Sequence, residues 1–188
     1  MERSKMIIVE GPQGTGKTTL ANYLRDNIPG ANLYRLSGQK DKTQKGLNYS
    51  ITMYDALIEY LSAMQNVPMD LIFDRTFTTE EVYARLGYKE YSFTNIYNTI
   101  LEKLNSLNYD IIYFSLYLED CSLFKKRLDR GSHHNYQSFS IENSINQQNK
   151  YLEVSDELNK YDNINVYKIP MDDFEKAYAR IKEILELK

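Results

Sequence analysis

A glycine-rich stretch near the amino terminus carries the residues best suited to chemistry. Gly11, Gly16, Lys17 and Thr18 fit the pattern G-x-x-x-x-G-K-[ST], and Gly14 adds a third glycine. Glycines let the backbone curl so that successive N–H groups face a phosphate, while the lysine adds a cation and the threonine hydroxyl can hold Mg²⁺. An apolar run precedes the stretch and a helical pattern follows it, so the positive end of a helix should point at the same phosphate. The spacing predicts nucleoside triphosphate binding by Gly11, Gly14, Thr15, Gly16, Lys17, Thr18 and Thr19.

A carboxylate expected close to these phosphates is Asp74, which ends the apolar run LIFD. The carboxyl ends of parallel strands share one crevice, so this carboxylate can reach a metal held by Thr18. ATP-driven machines usually follow such an aspartate with a glutamate that polarises water, whereas this chain has Arg75. A cation suits an anionic acceptor, which favours phosphoryl transfer over hydrolysis. We expect Lys17, Asp74 and Arg75 to act in catalysis, and Thr18 and Asp74 to hold Mg²⁺.

A second group of cations, two lysines followed by Arg127 and Arg130, lies at the start of the polar segment RGSHHNYQS. This segment is nearly devoid of aliphatic residues and separates two helical patterns, which predicts a mobile lid over approximately residues 127–140. Phosphoryl transfer needs positive charge around the migrating group and exclusion of water, and a basic lid that closes supplies both. Arg127 and Arg130 are therefore further candidate catalytic residues.

Apolar runs typical of strands alternate with helical spacing along the whole chain. The strands are predicted at residues 6–10, 31–36, 69–74, 110–118 and 163–169. Continuous apolar strands separated by amphipathic helices predict a mostly parallel sheet covered on both faces. We therefore expect one α/β domain over residues 1–188.

The composition restricts the class of protein. A net charge of −3 and a pI near 5.5 argue against duplex DNA or an anionic membrane as the main partner. The single cysteine, Cys121, excludes an intramolecular disulfide and fits a reducing compartment. No apolar run approaches the roughly 20 residues that span a bilayer, and the first five residues lead straight into a strand. We expect a cytoplasmic protein.

In their order along nearly the whole chain, these features resemble the thymidylate kinases and their nucleoside and nucleotide kinase relatives. VEGPQGTGKTTLANYL is similar to their opening strand and P-loop, and LYRLSGQ (33–39) to their second-strand arginine segment. LIFDRTFTTEEVYARLG (71–87) is similar to their Asp-Arg motif, which a tyrosine follows after a short helix. FKKRLDRGSHHNYQ and NKYLEVS are similar to the helix, lid and next helix of that family. The resemblance implies a three-layer P-loop kinase fold with a mobile lid, ATP and Mg²⁺ as cofactors, and a possible homodimer.

The resemblance also implies roles at the acceptor site. Arg35 would reach the acceptor phosphate, Arg75 would hold it, and Tyr83 would lie against the sugar, where its ring can reject a ribose 2′-hydroxyl. The chain departs from the family at Gln13, where thymidylate kinases usually carry an acidic residue that contacts the sugar or the metal. The expected substrate-binding residues are Gln13, Arg35, Tyr54, Arg75, Glu80 and Tyr83.

Two acceptors remain open at this point. A nucleoside monophosphate already carries an ionised oxygen and needs cations and alignment, which the arginines supply. A nucleoside 5′-hydroxyl must lose a proton, so a carboxylate such as Asp74 or Glu80 should lie within hydrogen-bond reach. The arginines favour the monophosphate. A P-loop ATPase or regulatory nucleotide-binding protein is a further alternative, although the glutamate or switch motifs it needs are not visible.

Overall fold

The computed structural model describes residues 3–128 and 140–187, and its centre is a five-stranded sheet. The strands are β1 (Lys5–Glu10), β2 (Asn32–Arg35), β3 (Leu71–Asp74), β4 (Asp110–Tyr117) and β5 (Ile164–Pro170). They follow the order β2-β3-β1-β4-β5, and every neighbouring pair is parallel. The predicted α/β fold with a five-stranded sheet is confirmed, and the sheet is parallel throughout.

Helices connect the strands in the described part of the chain. They are α1 (Lys17–Asn27), α2 (Gln44–Met64), α3 (Phe77–Arg85), α4 (Thr94–Asn105), α5 (Leu123–Leu128), α6 (Ile141–Glu157) and α7 (Phe174–Leu185), with a 3₁₀ turn at Leu158–Lys160. Polar side chains cap several helix starts, since Thr76 accepts from the N–H of Thr78 at α3 and Asp173 accepts from Glu175 and Lys176 at α7.

Alternate residues of β1 contribute to two hydrophobic cores, one on each face of the sheet. Met6 and Ile8 pack on one face of the sheet with residues of α2, α3, α4 and α6. Ile7 and Val9 pack on the other face with residues of α1, α5 and α7. These four side chains are at most 2% exposed, and burying each one contributes roughly 1.5–3 kcal/mol. Burial on both faces gives the three-layer architecture and explains why the strands are continuously apolar.

Most of the predicted lid lies outside the described residues. Arg127 lies at the end of α5, whereas Arg130 and the rest of the polar segment up to residue 139 lie outside the described residues. Among the helices that the structure describes, none has the length and apolar character needed to cross a membrane.

Candidate active site

The glycine-rich stretch curls between the end of β1 and the start of α1, as the sequence predicts. Gly11 has a φ of 146°, and a Cβ at this position would lie 2.5 Å from the carbonyl oxygen of Leu116 in β4. Gly16 has a φ of 91°, and a Cβ there would lie 2.9 Å from the ring of Phe174. The positive φ favours glycine at both positions, and at Gly11 the backbone of Leu116 also leaves no room for a Cβ.

The start of α1 is suited to an anion. Gly16 occupies the N-cap position without a side chain to bond the first N–H groups of the helix. Those N–H groups and the helix dipole are therefore open to a phosphate. Thr15 is buried within the loop and donates from Oγ1 to the carbonyl of Pro12 at 2.8 Å. Thr18 and Thr19 are exposed in the first turn of α1.

Lys17 is almost completely buried, with 5% of its surface exposed. Its Nζ donates to the carbonyl of Pro12 at 2.7 Å. Burial, helped by the nearby positive charge of Arg75, lowers the pKa of Lys17 to about 7. A triphosphate placed beside this amine would favour the charged form, since an opposite charge within a few ångströms raises the pKa of a lysine.

Thr18 and Asp74 form the candidate magnesium site. Thr18 Oγ1 donates to Asp74 Oδ2 at 2.8 Å, and Asp74 is 5% exposed. The other carboxylate oxygen of Asp74, Oδ1, is buried and has no hydrogen-bond partner among the described residues. A hydroxyl and a carboxylate with a spare oxygen are hard donors of the kind that Mg²⁺ prefers, so the residues present fit this ion.

Arg75 follows Asp74 in an unusual backbone conformation. Its φ is 75°, in the left-handed region, which costs a residue with a Cβ on the order of 1–3 kcal/mol. Its N–H donates to the carbonyl of Val9 in β1 at 3.1 Å. The guanidinium donates from Nη1 to Tyr83 Oη at 3.4 Å, so the two predicted acceptor-binding residues lie together. Helix α3 continues to Arg85, which places Tyr83 inside this helix and not after it.

Glu10 is a buried acid that we did not predict from the sequence. It ends β1 directly before Gly11, has no exposed surface, and accepts three hydrogen bonds from the start of α3. Oε1 accepts from the N–H of Thr76 at 2.5 Å and from its hydroxyl at 2.9 Å, and Oε2 accepts from Thr79 Oγ1 at 2.8 Å. Burial raises the pKa of Glu10 to about 7, although these donors and Arg75 act in the opposite direction. A carboxylate directly before the first P-loop glycine, at the end of an apolar strand, is the signal that could have drawn attention to it.

Arg35 lies at the end of β2, where it is paired in register with Asp74 of the neighbouring strand β3. Its Nε is 3.8 Å from Asp74 Oδ2, and the guanidinium donates to Asn22 Oδ1 of α1. More than half of the side chain is exposed. Arg35 therefore lies at the edge of the same crevice, where it can turn towards an anion that enters from solvent.

Glu80 is held in a buried network. Lys89 Nζ lies 2.7 Å from Glu80 Oε1, and the two side chains are 3% and 0% exposed. The same oxygen accepts from Tyr91 Oη at 2.5 Å, and Oε2 accepts from the N–H of Gln39 at 2.8 Å. Lys89 also donates to the carbonyl of Gln39. This network fixes the loop after β2 against α3.

Tyr54 and Gln13 occupy different surroundings. Tyr54 has no exposed surface, and its ring packs 5.9 Å from the rings of Phe77 and Phe93. It lies in the core below the crevice.

Gln13 lies in the P-loop, and its Oε1 is buried without a hydrogen-bond partner in the described part of the chain. This leaves one unpaired acceptor atom in the P-loop, among the described residues.

Arg127 lies against the other side of the P-loop. The guanidinium packs over the ring of Phe174, with 4.7 Å from Cζ to the ring centroid. It donates to the carbonyls of Gly14 at 3.3 Å and Met171 at 2.7 Å. The structure thus brings this arginine to the P-loop from α5, and Arg130 lies outside the described residues.

Comparisons with known proteins give a likeness in structure only. No protein-family model matches the sequence, and no curated protein sequence matches it significantly. Among solved structures, the chain is similar to thymidylate kinase from Candida albicans, with 17% identity, a TM-score of 0.68, and 98% of this chain and 92% of that chain covered. It is also similar to the YorR protein from Bacillus subtilis in complex with phosphorylated GDP, with 18% identity, a TM-score of 0.66, and 96% and 94% covered.

Deoxyadenosine kinase from M. mycoides, with the products dCMP and dCDP bound, is a third similar structure. It shares 18% identity and a TM-score of 0.66, with 97% of this chain and 98% of that chain covered. These likenesses extend over nearly the full length of each chain, so they concern the architecture as a whole. The chain has the fold of the P-loop nucleoside and nucleotide kinases.

Proposed function

We propose that the protein is an ATP-dependent kinase that transfers the γ-phosphate to a (deoxy)nucleoside monophosphate. The observation that carries the proposal is the hydrogen bond between Thr18 in the P-loop and Asp74 at the end of β3, with Arg75 as the next residue. The P-loop and Arg75 thus lie at the same edge of the sheet. The similar structures include proteins named as kinases of thymidylate and deoxyadenosine, which agrees with phosphoryl transfer.

In this proposal separate groups of residues bind the donor, the metal ion and the acceptor. The N–H groups of the P-loop and Lys17 hold the donor phosphates, and Thr18 and Asp74 hold Mg²⁺, which would neutralise charge on those phosphates. Arg75 and Arg35 bind the acceptor phosphate, and Tyr83 lies along the acceptor sugar. Gln13 Oε1 accepts a hydrogen bond from a sugar hydroxyl. Arg127, with Arg130 from the lid, supplies positive charge on the donor side.

The carboxylates around the crevice favour an acceptor that is already ionised. Glu10 has no exposed surface and accepts three hydrogen bonds, and Glu80 is paired with Lys89. Neither is placed to remove a proton from a substrate hydroxyl. Asp74 is bonded to Thr18, as a metal-holding residue would be.

A deoxynucleoside acceptor is the second candidate, and one atom favours it. Asp74 Oδ1 has no hydrogen-bond partner among the described residues, so it could accept the proton of a 5′-hydroxyl. Release of ADP, measured with a panel of deoxynucleosides and their monophosphates, separates the two. Turnover only with monophosphates supports the first proposal, and turnover with nucleosides supports the second. Turnover without any acceptor indicates an ATPase.

Arg75→Ala tests the placement of the acceptor site. We expect the KM for the acceptor to rise by about 10- to 100-fold, because a hydrogen bond to a charged group is worth ~1.5–3 kcal/mol, while the Kd for ATP changes little. Lys17→Ala should slow transfer to every acceptor. Arg25→Ala, which removes an exposed arginine at the end of α1, is the matched control and should behave like the wild type. Unchanged acceptor kinetics in Arg75→Ala would contradict the proposed site.

Four further properties stay predictions from the sequence. They are the cytoplasmic location, the homodimer, the absence of duplex nucleic acid and membrane partners, and the single domain over residues 1–188. Tyr54 lies in the core and Glu80 is bonded to protein groups, so neither is assigned a contact with the base of the acceptor.

A further inference from the structure

The start of α3 is attached to the end of β1 by contacts that surround Arg75. On one side of this residue, its own N–H donates to the carbonyl of Val9 at 3.1 Å. On the other side, the N–H of Thr76 donates to Glu10 Oε1 at 2.5 Å. Two consecutive N–H groups are therefore fixed to two consecutive residues of β1. Such bonds on either side of a residue restrict its φ and ψ more than a single bond could.

Arg75 needs this restraint because its φ of 75° is unfavourable for a residue with a Cβ. A residue stays in the left-handed region only where the surrounding structure forces it to. If the bonds to β1 were lost, the backbone could relax to a negative φ. The Cα–Cβ direction would then change, and the guanidinium would leave the place where the crevice holds it.

We propose that Glu10 is a positioning residue that holds Arg75 in its left-handed conformation and so aims the guanidinium at the acceptor phosphate. This inference rests on the proposed function, since it takes Arg75 as the ligand of that phosphate. Glu10 touches neither substrate in this account. It acts through the hydrogen bonds that it accepts from Thr76 and Thr79.

The surroundings of Glu10 support a dedicated role for its carboxylate. It lies buried beneath the crevice, and a buried carboxylate is costly unless it is bonded. Thr79 Oγ1, which donates to Glu10 Oε2, also shares a 2.9 Å hydrogen bond with Tyr151 Oη of α6. The carboxylate thus lies where β1, α3 and α6 meet. An apolar residue at position 10 would fill the core but could not fix the N–H of Thr76.

The test is a double-mutant cycle between Glu10 and Arg75, read as the acceptor KM with the Kd for ATP measured in parallel. Glu10→Ala should raise the acceptor KM at least tenfold and change the Kd for ATP less than threefold. In an Arg75→Ala background the same change should alter the acceptor KM less than twofold, because Glu10 acts through that arginine. Glu10→Gln keeps an oxygen that accepts from Thr76 and should stay within about threefold of the wild type.

Glu81→Ala is the matched control for a general loss of stability. Glu81 is also a fully buried acid in the first turns of α3, but it bonds Arg85 and Thr94, away from Arg75. Its substitution should lower the melting temperature without changing the acceptor KM. If Glu10→Ala does not fold, Glu10→Asp replaces it, because the shorter side chain keeps the charge but draws the carboxylate away from Thr76.

Failure of this inference and failure of the proposed function give different results. If Arg75→Ala weakens acceptor use while Glu10→Ala does not, or if the two effects add, the inference is wrong and the function stands. If the wild type uses no acceptor, the proposed function is wrong. Crystal structures of the wild type and Glu10→Ala then decide about Glu10 independently of activity. A φ near 75° at position 75 in the variant overturns the inference, and a negative φ supports it.

Discussion

Lys17 shows how a single buried group can report on ligand binding. Its amine is nearly enclosed, and burial lowers its pKa to about 7. In an unfolded chain a lysine titrates near 10.5, so folding favours the neutral amine between these two pH values. Phosphate oxygens beside the amine would reverse this preference. The charge of Lys17 is therefore expected to depend on whether a nucleotide is bound.

We predict that MgATP binding at pH 8 takes up a fraction of a proton approaching one. At this pH the free protein holds Lys17 mostly neutral, and the bound triphosphate raises its pKa so that it gains a proton. At pH 7 the amine is already about half protonated, so the uptake should fall to about half a proton there and should disappear by about pH 6. Calorimetric titrations in two buffers with different ionisation enthalpies measure the uptake. Lys17→Arg, which stays charged at every pH used, should bind without it, and equal heats in both buffers for the wild type would contradict the prediction.

At the scale of elements, the loop after β2 depends on a buried ion pair with α3. The side chains of Glu80 and Lys89 are at most 3% exposed, and both bond the backbone of Gln39. Removal of one partner from such a pair leaves an uncompensated buried charge, which costs more than removal of both. The neighbouring backbone is close to the network, since a Cβ at Gly38 would lie 3.3 Å from Glu80 Oε2.

We predict that Lys89→Met lowers the free energy of unfolding by about 3–5 kcal/mol, because Glu80 is left buried without its cation. The double variant Glu80→Gln/Lys89→Met should lose less than the sum of the two single changes. Urea unfolding measures these differences. Lys103→Met is the control, since it removes an exposed pair with Asp55 and should cost roughly 1 kcal/mol or less. If Lys89→Met and Lys103→Met lowered the free energy of unfolding equally, the buried pair would stabilise the protein no more than the exposed one.

At the scale of the whole molecule, one sheet joins both cores and carries the candidate site at the ends of its strands. Strand β1 lies at the centre, with β3 on one side and β4 on the other. The residues proposed to bind the donor follow β1, and those proposed to bind the acceptor follow β2 and β3. Neither half of the site can form without the sheet, so folding and nucleotide binding should be coupled.

We predict a single thermal unfolding transition that shifts upward with MgATP. At a ligand concentration 100 times the Kd, binding adds about 2.7 kcal/mol. For a chain of 188 residues this corresponds to roughly 5–10 °C in melting temperature. Scanning calorimetry with and without MgATP measures the shift, and Asp74→Asn should reduce its dependence on Mg²⁺. Two separate transitions would contradict the single domain.

The strands, the order of α and β elements, and the P-loop could be predicted from residue patterns alone. These features depend on local patterns, namely apolar runs, helical spacing and glycines at fixed distances. Such patterns can be recognised without knowledge of the tertiary contacts. The position of Asp74 beside Thr18 was also predictable, because parallel strands bring their carboxyl ends to one edge.

The partners of the buried polar groups could not be predicted in this way, because they depend on the packing of distant elements. Glu10 meets Thr76 across 66 residues of chain, and Glu80 meets Gln39 across 41. Such pairs depend on strand order and on which helix covers which face, and no local pattern encodes them. Tyr54 is a further example, because it lies in the core and not at the acceptor. An aromatic residue on an amphipathic helix shows the same spacing in the sequence whether its ring faces a ligand or the neighbouring side chains.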